Sequence, residues 1–274
     1  MTNKSATLGL ALGVTVLATT LAAAPVLQQV SSSDDWCRDE NWGNNREGVC
    51  EVREYTVGTS GATLAVDASP NGGIRIEGSP RADILIRAKV VATARTQERA
   101  KGIAGAVTVT AAADRVSADG PDSLRSGESW SVSYRLAVPT QSALDLRSTN
   151  GGLSVQNVDG RIDFKTVNGG VKLTGLAGQV RGRTTNGGVD VELDGTTWQG
   201  EGLDVETHNG GLKLAIPEHY SAQLETGTVN GSLRIDFPVT VEGRIDRQIN
   251  VNLGSGGPRV RVRTSNGGVK IVRK

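Results

Sequence analysis

From Leu144 onward the chain alternates apolar and polar residues in short stretches, each running into an Asn-Gly turn and resuming behind it. Ahead of the turns stand the apolar pairs Leu144/Leu146, Ile162/Phe164, Leu203/Val205 and Val260/Val262, with Val180/Gly182 in the same phase. Behind them stand Leu153/Val155, Val171/Leu173, Val189/Val191, Leu212/Leu214, Leu233/Ile235 and Val269/Ile271. A period of two with one apolar face predicts strands buried on one side. The turn itself recurs as Thr-x-Asn-Gly-Gly or a close variant at Asn150, Asn168, Asn186, Asn209, Asn230 and Asn266, with an earlier copy at Asn71. Steps of 18, 18, 23, 21 and 36 residues separate the six later Asn residues. A period near 20 is the mark of a solenoid, and the final step reads as two coils of which one has lost its Asn.

Asn-Gly and Gly-Gly accept positive φ, so the chain can turn there sharply. Between strands such a turn also suits a hairpin, which leaves an antiparallel meander as the alternative. The constant phase of strand, turn, strand, looser turn favours a parallel β-helix, with the Asn side chains stacked in a ladder at one corner. Two insertions interrupt the phase. One spans Asp194 to Gly202 and contains Trp198; the other is Ile216-Pro217-Glu218-His219-Tyr220. Both are expected as loops on one side of the solenoid, where repeat proteins place binding residues.

Residues 51–140 are less regular, with alternation at Thr63–Val66, Ile74–Ile76, Ile84–Ala88, Val107–Thr110 and Trp130–Leu136. Thr96-Gln97-Glu98-Arg99-Ala100-Lys101 predicts a short helix capped by Thr96. This region is expected to cap the coils of residues 141–274. Before it, residues 31–50 form a polar segment holding Cys37 and Cys50. The first thirty residues carry one charge, Lys4, and an apolar run from Ala6 to Ala24. That pattern predicts an export signal, cleaved or kept as a membrane anchor, and hence a periplasmic, surface or extracellular location. In an oxidising compartment Cys37 and Cys50 are most simply one disulfide. Closing its loop contributes about 3 kcal/mol in the chain-entropy model.

Composition narrows the chemistry. Gly numbers 36 in 274 residues and aromatics are 3%, which fits many tight turns and a β-branched core. Lys+Arg 30 against Asp+Glu 29 gives no global attraction to nucleic acid. No P-loop, dinucleotide fingerprint, zinc spacing or calcium-repeat Asp is present, so no cofactor or metal is expected.

Cys50-Glu51-Val52-Arg53-Glu54, the strand Tyr134-Arg135-Leu136-Ala137-Val138-Pro139 and the repeated Thr-x-Asn-Gly-Gly turn together resemble the DUF4097 family over roughly residues 51–274. These are exported bacterial proteins described as adhesin-like. The resemblance implies a right-handed, single-stranded parallel β-helix. It carries over no catalytic residue.

The outward positions behind the turns are Ser154, Lys172, Asp190, Lys213, Arg234 and Lys270. One acid in that column does not make the carboxylate pair of a glycoside hydrolase. On the preceding strands Asp163, Asp204 and Glu206 alternate with Arg181, Arg183, Arg261 and Arg263, as solvated pairs do. His208 fills the variable position before a turn, and His219 has no nucleophile beside it. Lys172, Lys213, Arg234 and Lys270 are a candidate basic stripe for an anionic glycan or lipid headgroup, with Trp198 and Tyr220 as candidate exposed aromatics beside it. Only Val272-Arg273-Lys274 follow the last coil, so an open rung is expected there, shielded by Arg273 and Lys274 or used for end-to-end self-association. The expected function is an exported cell-envelope binding or scaffold protein, adhesin-like and without catalytic activity, whose partner is an envelope polysaccharide or another surface protein. The alternatives are a polysaccharide-active enzyme and a purely structural envelope component.

Overall fold

A computed structural model describes residues 26–38, 40–43, 45–236 and 247–274; the apolar run of residues 6–24 lies outside them. Among the described residues the strands form two sheets, of eleven and ten strands. Each coil contributes one strand to each. In the most regular part, Leu144–Asn150, Asp159–Asn168, Ala177–Asn186 and Gly202–Asn209 stack in parallel in the second sheet. After each Asn-Gly turn the chain crosses to the first sheet, where Leu153–Gln156, Val171–Thr174, Val189–Glu192 and Leu212–Ile216 also stack in parallel. The meander is thereby excluded, and the fold is a parallel β-solenoid. The apolar member of each alternating pair faces inward, so Leu146, Val155, Ile162, Val180, Val205, Leu214 and Ile271 are fully buried between the sheets. Gly182 is part of this packing: a Cβ there would meet the Phe164 ring at 2.3 Å, so the Phe of one coil fills the space left by the Gly of the next.

Thr-x-Asn-Gly-Gly has a physical reason at nearly every position. The Thr hydroxyl is buried and donates to the first-Gly carbonyl of the adjacent coil: Thr184 to Gly169 at 3.1 Å, Thr207 to Gly187 at 2.8 Å, Thr264 to Gly210 at 2.8 Å and Thr228 to Gly267 at 2.9 Å. Asn side chains bond in an unbroken ladder of 2.8–3.0 Å steps through Asn71, Asn150, Asn168, Asn186, Asn209, Asn266 and Asn230. The first Gly permits a close approach: a Cβ at Gly151, Gly169, Gly187 or Gly210 would lie 2.0–2.1 Å from a carbonyl oxygen of the neighbouring coil.

The ladder order also shows that coils do not stack in chain order at either end. Arg259–Asn266 lies between Gly202–Asn209 and Ala222–Asn230, and Val269–Arg273 lies between Leu212–Ile216 and Leu233–Ile235. The last coil in sequence is therefore interior, and the expected open rung at Ile271 does not exist. Arg273 pairs with Glu218 at 3.0 Å, and Lys274 pairs with Glu192 at 2.6 Å and with Asp194. The long final Asn-to-Asn step is not a coil without its Asn. Within it, between Leu233–Ile235 and Arg259–Asn266, the strand Gln248–Leu253 runs antiparallel to Ala222–Asn230 and covers that edge of the second sheet.

The other end repeats the device. Leu64–Asp67 and Ile74–Ser79 make a full coil, inserted beside Leu144–Asn150 and Leu153–Gln156, where Leu64 pairs with Leu144 and Ile74 with Leu153 although they are far apart in the chain. The solenoid thus begins within the region assigned to the cap. Glu47–Gly58, Asp83–Ala94 and Ser129–Pro139 extend the first sheet by antiparallel pairing, while Arg115–Asp119 and Thr108–Ala111 extend the second beyond Leu64–Asp67. The helix Gln97–Ala106 runs five residues beyond the predicted segment, because Ala100, Ile103 and Ala104 are buried against the sheet. Thr96 caps its start by accepting from Arg99 N at 3.3 Å. Arg53 closes its end, donating to Ala104 O at 2.9 Å and Val107 O at 2.6 Å, where carbonyls lack partners and a cation is favoured. Cys37 and Cys50 form the expected disulfide, with Cα atoms 5.6 Å apart.

Candidate ligand groove

Parallel register carries every outward position of the first sheet into a column. Arg135 is beside Arg75, then Ser154, Lys172, Asp190, Lys213, Lys270 and Arg234 follow strand by strand. Residues two apart in a strand share a face, so the second glycine of each turn lies on this face too. Gly73, Gly152, Gly170, Gly188, Gly211 and Gly268 form a track beside the column where no side chain rises. The track is a groove of about 890 Å³. It crosses eight strands, from Ser129–Pro139 to Leu233–Ile235; seven steps of about 4.8 Å make it about 34 Å long.

These second glycines differ physically from the first. A Cβ on Gly152, Gly170, Gly188 or Gly211 would meet its nearest neighbour, a carbonyl oxygen, at 3.4–3.7 Å, an ordinary contact. Ser232 occupies the same position in the terminal rung, so the turn itself tolerates a side chain. The backbone needs the first glycine; what the second preserves is the groove.

One end of the groove is walled by Trp36, which the rest of the polar segment holds in place. The Trp36 N–H donates to Asp34 Oδ1 at 2.9 Å, Asp34 pairs with Arg87, and the Cys37–Cys50 bridge follows directly. The backbone N–H of Trp36 and the Arg87 guanidinium keep the Asp34 carboxyl below its usual range, against the opposing effect of burial. The guanidinium of Arg135 lies 3.9 Å from the Trp36 ring centre, and Lys89 Nζ lies 5.2 Å from it. Burial first, and then the neighbouring charges of Arg75 and Arg87, push the Arg135 pKa down against the opposing charge of Asp34.

The column is charged unevenly. Lys213 is 3.8 Å from Asp190, Arg234 is 3.1 Å from Asp236 and Lys270 is 3.5 Å from the same carboxylate. Arg135, Arg75 and Lys172 have no carboxylate within ion-pair distance among the described residues. The column's cations without an ion pair are therefore at the Trp36 end, where Asp34 and Glu40 are engaged by Arg87 and Lys89.

The structure brings Lys172, Lys213, Arg234 and Lys270 into one column, as the repeat predicts. It does not bring Trp198 and Tyr220 to the surface. Both are buried, at 4% and 3% exposure, in the interior of the solenoid. Both rings join the core cluster, and the Trp198 indole N–H is satisfied by Gly178 O at 2.9 Å. Arg75 was legible in principle, since it stands four residues after Asn71 just as Ser154 stands four after Asn150. Arg135 and Trp36 come from outside the repeat and carry no such signal.

The outer face of the second sheet is a lattice of ion pairs. Asp163 lies 2.8 Å from Arg161, Asp145 lies 3.0 Å from Arg147, and Arg261 lies 2.5 Å from both Asp204 and Glu206. Asp190 is on the opposite face, so Asp163, Asp190 and Asp204 do not converge. His208 and His219 are exposed. No group of three His, Cys, Asp or Glu with metal-binding geometry occurs among the described residues. No helix among them is long and apolar enough to cross a membrane.

The family model described as Toastrack DUF4097 matches residues 69–272. Among solved structures, the chain is similar to a "putative cell adhesion protein" from Clostridium sporogenes ATCC 15579, at 14% identity and a TM-score of 0.42, with 83% of this chain and 100% of that one covered. It is also similar to a "putative adhesin" from Bacteroides fragilis NCTC 9343, at 13% identity and a TM-score of 0.33, with coverages of 82% and 97%. No curated protein matches the chain.

Proposed function

The chain belongs to the Toastrack DUF4097 family, and we propose that it is an exported, adhesin-like binding protein that uses the groove of the first sheet to hold an extended ligand and performs no chemistry on it. The observation that carries this reading is the groove itself: an open track crossing eight strands and bordered by a cationic column. Proteins that bind without turnover need a shaped, partly charged surface, and this one is built into every coil. The absence of catalysis is supported by Asp163, Asp190 and Asp204, which are paired with basic residues and divided between two faces. Export is supported by the Cys37–Cys50 bridge, which persists in oxidising compartments. The reading includes a right-handed coil, since strand–crossover–parallel strand connections in one sheet take that hand in about 98% of cases.

The test fills the groove. The full chain and a Gly170→Gln/Gly188→Gln variant are immobilised and incubated with bacterial envelope polysaccharides, scoring retained material and newly released chain ends. Retention by the native chain, its loss in the filled variant, and no new ends are expected. Retention that survives the substitutions removes the groove from the account, and new chain ends remove the non-catalytic reading.

A further inference from the structure

We propose that the Trp36 end of the groove is an acid-recognition subsite, and that the ligand it selects is an acidic polysaccharide. The proposal rests on the groove reading above and adds the chemistry of the occupant. Arg135 and Arg75 are on adjacent strands, and Lys172 lies two strands beyond Arg75, with the Ser154 hydroxyl between them. At about 4.8 Å per strand this places cations about 5 and 10 Å apart along one line. A linear chain bearing acids at regular intervals meets them in sequence. None of the three has a carboxylate partner among the described residues, whereas the cations at the far end are paired with Asp190 and Asp236. An anion arriving beside Arg75 and Lys172 meets cations that hold no carboxylate; at the far end it must compete with a carboxylate already in place. Trp36 supplies the apolar wall, held beside Arg135 by the disulfide-anchored segment, and an indole next to cations suits the C–H face of a sugar ring that carries an acid.

Other polyanions fit less well. A lipid surface needs apolar side chains to insert, and the exposed large hydrophobics among the described residues, Val30 and Val229, do not line the groove. Single-stranded nucleic acid needs successive aromatic platforms, and Trp36 is the one tryptophan lining this groove. An extended peptide captured by strand addition needs a free edge. Among the described residues, the groove strands are paired on both sides except Leu233–Ile235, whose free edge is at the end of the groove remote from Trp36.

The experiment measures binding of the full chain to polygalacturonate and to neutral dextran across a salt series, with three variants. The acidic chain is expected to bind, more weakly as salt rises, and dextran to bind at least tenfold more weakly. Arg75→Gln/Lys172→Gln is expected to lower polygalacturonate affinity about tenfold, on the scale of two partly exposed charge contacts. Lys213→Gln/Arg234→Gln is expected to lower it less, about two- to threefold, because both cations already hold carboxylates. Gly170→Gln/Gly188→Gln abolishes binding. Equal binding of dextran, lost on filling the groove, overturns the acidic subsite and leaves the groove reading standing. Equal losses from the two charge variants overturn the placement at the Trp36 end. Tighter binding to anionic vesicles or single-stranded DNA overturns the choice of polysaccharide, and retention of no polymer overturns both readings.

Discussion

Gly187 and Gly188 are neighbours in one turn, yet replacing each by alanine should have opposite effects. A Cβ on Gly187 would sit 2.0 Å from Gly169 O and 2.5 Å from Gly169 C. To restore an ordinary contact the two coils must part by more than 1 Å at that corner. The corner is held by Gly169 N–H to Asn186 O at 3.0 Å, Thr184 Oγ1 to Gly169 O at 3.1 Å and Asn186 Nδ2 to Asn168 Oδ1 at 2.9 Å. Overpacking alone costs about 1–3 kcal/mol, and weakening one or two of these bonds adds about 1 kcal/mol each. Gly187→Ala should therefore destabilise by about 3 kcal/mol, lowering the melting temperature by about 6–12 °C for a chain of this size. At Gly188 the nearest atom to a Cβ is Gly211 O at 3.4 Å, and the backbone is not in the left-handed region. Gly188→Ala should be neutral or stabilise by about 0.4–1 kcal/mol through the unfolded chain. Thermal melts of the three proteins by circular dichroism decide the matter. Equal losses at both positions, or a Gly187→Ala variant that melts with the native protein, would refute the division between a glycine the coil needs and one the groove keeps.

Three further outcomes follow from particular contacts. Trp198→Ala should cost about 3–5 kcal/mol in a denaturation experiment and leave polysaccharide retention by the folded fraction unchanged, because the ring is interior; selective loss of retention would return it to the surface. The Tyr134 hydroxyl is buried without a partner, and burial pushes its pKa up. Tyr134→Phe should thus be neutral or raise stability by up to about 1–2 kcal/mol, and a loss of that size in urea unfolding would show a bond to the hydroxyl. Glu128 accepts from Arg99 and from the Arg125 N–H, which hold its pKa down at about 2. A depressed carboxyl stabilises the fold above its ordinary range and loses that contribution as pH falls toward 2, so the clasp between helix and loop should open only there. A carboxyl resonance of Glu128 titrating near 4 would contradict it.

Much of the fold could be read from the chain because Thr-x-Asn-Gly-Gly encodes a complete contact between coils: a buried hydroxyl, an amide ladder and a close glycine. The same property hid the order of the coils. Every coil offers the same interface, so the one holding Asn266 can pair with Asn209 on one side and Asn230 on the other, and no local pattern marks that insertion. Trp198 and Tyr220 misled because polar insertions usually face solvent, whereas these two rings join the core cluster. The cationic column was visible in the repeat phase, but its charge balance was not. Asp236 pairs with Arg234 on its own segment and with Lys270 on the adjacent strand, and the Trp36 end is completed by Arg135 and Trp36, which the repeat does not contain.

The central claim is that the glycine-tracked face of the first sheet is where the ligand lies. Lysine acetylation followed by mass spectrometry, with and without bound polygalacturonate, tests it residue by residue. Lys172 lies in the groove column, while Lys165 is on the second sheet and Lys101 on the helix; all three are exposed in the free protein. The account predicts that ligand protects Lys172 and leaves Lys165 and Lys101 as reactive as before. Protection of Lys165 with Lys172 still reactive would place the ligand on the opposite face and contradict it.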